Sequence, residues 1–152
     1  KHPDEALAAS KEGLKIARQG GNNTLISLAL EALAQTETAA GRLDDAWQAW
    51  RQNYELHAEH NANHKNQTED LLEMSRIRSK QGRHADALEH LREAWQQALS
   101  HRSSKSDPSH LAYVAGFAVE SWRALHAHDP KAAAPVELSA WEVVLEGERG
   151  SK

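Results

Sequence analysis

The chain predicts an all-α fold, a short solenoid of helix pairs stacked in series, and three observations predict it. Ala6, Ala46 and Ala87 stand 40 and 41 residues apart, each just inside a helix that opens with an acidic or polar turn. The words around the last two read Gly41-Arg-Leu-Asp-Asp-Ala and Gly82-Arg-His-Ala-Asp-Ala, so they share a Gly-Arg-x-x-Asp-Ala frame. Between these markers apolar residues recur at helical spacing, and a unit of this length cannot bury its apolar face alone and must lean on its neighbours.

Taken in order, Asp4 to Arg18 carries Ala6, Leu7, Leu14, Ile16 and Ala17 along a helical stripe and stops at Gly20-Gly21, where glycine supplies a left-handed end. Asn23 or Thr24 is the expected cap of the next helix, with Leu25, Ile26, Leu28 to Leu30 and Leu33 as its apolar positions and Gly41 as its turn. Asp44 and Asp45 then suit the positive end of a helix whose Ala46, Trp47, Trp50 and Tyr54 share a core face and which runs to about Asn61. A connection over 61–68 follows, with Asn66 and Glu69 as a capping box. Leu71, Leu72, Met74 and Ile77 form the next stripe, up to Gly82.

His84 to Ser100 is the partner helix, with Ala87, Leu88, Leu91, Ala94, Trp95 and Leu99 inward, and His101 to Ser106 is a polar loop. Asp107-Pro108 signals another start, because an acidic cap and a proline at the first helical position both suit the free donors of a helix end. That helix carries Leu111, Tyr113, Val114, Phe117, Ala118, Trp122 and Leu125, and closes near His128-Asp129-Pro130. Pro135 breaks the following stretch, leaving a last helix from about Val136 to Glu146 with Leu138, Trp141, Val144 and Leu145 as a terminal cap.

Composition narrows the function. The 152 residues are 39% apolar and 26% charged, ordinary for a globular domain, and five of the eight aromatic residues are Trp, suiting a few large anchors among small residues. A formal charge of −4 argues against general attraction to nucleic acid or acidic lipid. No run of about 18 apolar residues offers a membrane span, and no signal peptide is visible. Without cysteine there is no disulfide scaffold, thiolate metal site or Cys nucleophile, which fits a reducing compartment, so cytoplasm is the expectation.

These residues resemble the tetratricopeptide repeat (TPR), a helix-turn-helix unit, in a longer form of about 40 residues. With the large position of the first helix set on Leu30, Leu71 and Ala112, the following pairs fall on Leu33-Ala34, Met74-Ser75 and Ala115-Gly116. The turn glycine maps to Gly41 and Gly82 but to Arg123 in the third unit, and the small residue of the second helix maps to Ala6, Ala46 and Ala87 but to His128, so the third unit departs from the pattern. The resemblance implies a single domain over 1–152, a right-handed superhelix of antiparallel helix pairs: a partial repeat over 4–18, repeats over 24–60 and 67–100, and a degenerate repeat and cap over 108–146. It also implies that first-helix residues line a concave groove, placing there Glu31, Gln35 and Thr38, Leu72, Arg76 and Ser79, then Tyr113, Phe117 and Glu120. A carboxylate clamp of the kind some relatives use is missing, because Glu31, Glu69 and Glu73 stand where donors are needed. Arg76 with Tyr113 and Phe117 would hold an extended or helical segment through one charge-assisted bond and apolar contact; the competing reading packs both aromatics against the final helices.

His57, His60 and His64 recur at i, i+3 and i+7, a spacing that invites a metal. Without a thiolate or a fixed third ligand a solvated face is the stronger reading, so no metal and no cofactor are expected. Catalysis has no foothold: the chain holds no glycine-rich phosphate loop, no Gly-x-Ser-x-Gly and no His-Glu-x-x-His. The expectation is a non-catalytic module within a larger regulatory protein, binding a peptide or partner domain in its groove and neither nucleic acid nor membrane. The alternative is a sensory or dimerisation arm of a signalling enzyme or transcription regulator, pairing as a homodimer through exposed terminal helices such as Asp4 to Arg18.

Overall fold

The computed structural model describes residues 3–60, 64–100 and 108–149, and among them the chain is all-helical, without strands. Seven helices run in order: α1 Pro3–Gly20, α2 Asn23–Ala39, α3 Leu43–Glu59, α4 His64–Lys80, α5 His84–Ser100, α6 Pro108–His128 and α7 Leu138–Arg149. None of the described helices is long and apolar enough to cross a membrane.

The chain divides into two compact units, Lys1–Asn66 and Gln67–Lys152. In the first, α2 packs against both α1 and α3. Helix α1 buries a narrow stripe of Leu7, Leu14 and Ala17 and leaves its other faces in water, including Ala6 and Ile16, the latter 59% exposed. Helix α2 buries Leu30, Leu33 and Ala34, while Leu25 and Leu28, expected among its apolar positions, are exposed. Helix α3 buries Ala46, Ala49, Trp50, Asn53 and His57, the i, i+3, i+4, i+7 and i+11 positions of one face. Trp47 and Tyr54 are only half-buried, so the expected core face is rotated toward Asn53 and His57. Trp47 instead lies beneath the Arg51 guanidinium, 5.7 Å from the ring centroid.

In the second unit α6 packs against both α5 and α7. Its core is Leu71, Leu72, Met74 and Ile77 of α4, Ala87, Leu88, Leu91, Ala94 and Trp95 of α5, and Leu111, Val114, Ala118 and Trp122 of α6. Trp141 of α7 is completely buried. Leu99, expected inward, is 38% exposed at the far end of α5.

Helix ends explain the spacing of the elements. Gly41 (φ 75°) and Gly82 (φ 72°) occupy the left-handed region, which a side chain disfavours. Around Gly41 the amide of Arg42 donates to Glu37 O at 2.9 Å and that of Gly41 to Thr38 O at 3.1 Å. Around Gly82 the amide of Arg83 donates to Arg78 O at 2.9 Å and that of Gly82 to Ser79 O at 3.0 Å. These are two Schellman turns with the same bonding, and in each the carbonyl of the frame's arginine, Arg42 or Arg83, accepts the first bond of the next helix, from Ala46 and Ala87 respectively.

Three expected starts are corrected. The α2 cap is Asn22, whose Oδ1 accepts from the Leu25 amide at 3.1 Å, rather than Asn23 or Thr24. Asn66 is no cap, because α4 is already under way at His64. Asp107, the expected cap of α6, and residues 61–63 and 101–106 of the expected connections lie outside the described residues. The last helix begins at Leu138, two residues later than expected, because Pro135 accepts from the Leu138 amide in a turn.

Candidate functional site

Of the groove residues expected on α4 and α6, Arg76, Tyr113 and Phe117 converge in the second unit. One turn of α4 brings Glu73 and Arg76 together at i, i+3, and their side chains form an ion pair. Arg76 Nη2 also donates to Tyr113 Oη at 2.7 Å. The same guanidinium lies over the Phe117 ring, 4.5 Å from its centroid, and Tyr113 meets Phe117 edge to face at 5.0 Å. Tyr113 and Phe117 are one turn apart on α6, so a single arginine, held by a carboxylate of its own helix, ties α4 to α6 through a phenol and a ring face. The cluster is half open: Tyr113 is 49% exposed, while Arg76, Phe117 and Glu73 are half-buried.

Leu72 does not join this surface. It is 2% exposed and belongs to the core beside Leu71, because both neighbouring faces of α4 are covered at that level. Glu31 and Gln35 lie on α2 in the first unit, half-buried and exposed respectively. Thr38, of the same helix, donates its hydroxyl back to Ala34 O at 2.8 Å. Glu73 is the member of the cluster that the sequence had marked only as an obstacle to anion binding; its i, i+3 spacing to Arg76 was the signal of its role.

The histidine row is split by the fold. His57 turns inward, and its Nε2 shares a hydrogen bond of 3.0 Å with Ser27 Oγ, a buried contact between α3 and α2. His60 stands outside the end of α3, with Nδ1 bonded to Leu56 O at 3.0 Å. The side chain of His64 falls outside those described. Among the described residues no group of three His, Cys, Asp or Glu is placed to hold a metal.

Among the described residues two titratable groups sit in perturbing surroundings. Glu37, 4% exposed, has its carboxyl raised above the ordinary value by burial and then by the neighbouring Asp45 charge, against the opposing pull of Lys11 and Arg42. His90 is lowered, chiefly by burial and further by Arg78, against the pull of Glu93, Asp86 and Glu89.

No protein-family profile and no curated protein matches the chain. Its fold is similar to that in the crystal structure of BtubC (BKLC) from P. vanneervenii, with a TM-score of 0.51 and 12% sequence identity over 95% of this chain and 82% of that one. At that identity the likeness concerns the path of the helices alone.

Proposed function

We propose that the chain is a TPR-like, non-catalytic interaction module that works in the cytoplasm, where the α4–α6 surface around Arg76, Tyr113 and Phe117 docks a segment of a partner protein. One observation carries this reading: a half-exposed tyrosine is held in place by a guanidinium that is itself fixed by Glu73 and stacked on Phe117. Aromatic and arginine side chains immobilised before contact lose little entropy on binding and dominate the energetics of interfaces. The repeat reading is supported by the two Schellman turns at the same place in successive helix pairs.

A photo-crosslinking amino acid at position 113, with a second at the exposed Glu55 as control, tests it. The expected result is a partner trapped from position 113 alone, whose purified form binds the chain and loses at least about tenfold in affinity to Phe117→Ala, the scale of an interface anchor. Equal trapping at both positions, or unchanged binding by Phe117→Ala, refutes it.

The dimerisation-arm reading has its own support in the first unit, where Ile16, Leu25 and Leu28 are large apolar residues in solvent near the α1–α2 turn. Sedimentation of the chain against Ile16→Glu discriminates: a dimer that this charge dissolves favours the arm, and a monomer over the whole concentration range removes it.

A further inference from the structure

A cleft of about 320 Å³ opens in the second unit between α5, the end of α6 and the connection to α7. Leu88 and Leu125 line it with Ala134 and Pro135, and the exposed Glu89 and Arg92 stand at its edge. Beside them Val136, also on the lining, is 88% exposed.

The wall formed by the connection is fixed at both ends. At its start the Asp129 amide donates to Leu125 O at 2.7 Å, and Asp129 accepts from the amides of Lys131, through Oδ1, and Ala132, through its carbonyl. At its end Arg92 Nε donates to both carboxylate oxygens of Glu137, at 3.0 and 3.1 Å. A cavity held open in this way does not have to be ordered by its ligand.

Charge selects what fits. Glu137 neutralises Arg92, whereas Glu89 enters no ion pair among the described residues. The cleft is therefore apolar along its body and negative at its edge. An acidic ligand would meet Glu89 and a guanidinium already committed to Glu137.

We propose that this cleft docks a short peptide segment of a partner, which inserts an aliphatic side chain against Leu88, Leu125 and Pro135 and sets an adjacent lysine or arginine against Glu89. The residues are distinct from the Arg76 surface, so the two sites stand or fall separately.

The test is a titration of the full chain, followed by the methyl resonances of Ala133, Ala134 and Leu125, with acetyl-Gly-Leu-Lys-Gly-amide and its Glu-for-Lys counterpart. The lysine peptide is expected to shift those methyls, with the acidic peptide at least about tenfold weaker. Glu89→Lys, an exposed substitution, should reverse that order, Ala134→Trp should block both peptides, and Arg76→Glu should leave the titration unchanged. Absence of shifts at millimolar peptide, equal response to the two peptides, or an order that Glu89→Lys does not change overturns the proposal.

Discussion

Glu37 and Arg78 stand at the same position of two equivalent helix ends, 41 residues apart, both buried and opposite in charge. Each carbonyl accepts the amide of the arginine that follows the turn glycine. The backbone thus repeats while the side chain facing the interior does not. Arg78 finds Gln81 Oε1 at 2.8 Å, whereas Glu37 is left with a raised carboxyl.

A raised carboxyl means that the folded chain prefers the protonated acid. The associated stability is fully present below the unfolded value of 4.5 and is lost as pH rises through the higher folded value. Glu37→Gln keeps the shape and removes the buried charge. It is expected to raise the thermal midpoint near pH 7 by about 2–4 °C, the effect of about 1 kcal/mol in a chain of this length, and to have no benefit below pH 4. Melting curves of both proteins across pH 3–8 check this.

His90 has the opposite sign of dependence. Its folded value is lowered from 6.5, so its contribution is complete above that pH and is lost as pH falls through the lowered value. His90→Gln should flatten the loss of stability between neutral pH and pH 5 without altering the midpoint at pH 8.

The repeated alanines differ in their surroundings. Ala46 and Ala87 have no exposed surface, while Ala6 lies in water. Leucine at position 46 or 87 is expected to cost about 1–3 kcal/mol by overpacking. Ala6→Leu should fall within about 0.5 kcal/mol of the parent. Urea denaturation of the three variants measures the contrast.

Gly41 and Gly82 should behave alike. A Cβ built at either meets no atom within 4 Å, so the penalty is that of the backbone alone. Gly41→Ala and Gly82→Ala are each expected to cost about 1 kcal/mol, and asparagine less, because it tolerates the left-handed region. A loss several times larger at one of them, read by the same denaturation, would show that the two turns are not equivalent.

Much of the helical layout was legible because it rests on local chemistry. His84 to Ser100 matches α5 at both ends, and Gly21, Gly41 and Gly82 each adopt the positive φ that their place after a periodic stretch required. Starts were harder. Asn22, Asn23 and Thr24 are all competent caps, and which of them holds the Leu25 amide depends on the backbone conformation, extended at Asn22, that composition does not reveal. The Asn66 pattern misled because nothing apolar between Glu59 and Leu71 fixes the phase of the new helix, apart from small Ala62.

The site was legible in part. Arg76, Tyr113 and Phe117 were marked by repeat position, and the structure brings them into contact across 37 residues of sequence. Leu72 was misplaced because periodicity gives the phase of a helix but not the width of the covered arc, and α4 is covered widely enough to take in both Leu71 and Leu72. The Ser27–His57 bond joins residues 30 apart, and its only trace in the sequence was a serine within an apolar stripe.

Trp141 anchors α7 with a fully buried ring whose indole N–H has no acceptor among the described residues. A buried donor without a partner offsets part of what the ring contributes by packing. The final helix, held against α6 by this anchor, is the segment expected to undock first when its unit is heated. Release would move the indole from a buried site into water, and early exchange of the amides of 138–149 would report undocking ahead of the wider loss of helicity.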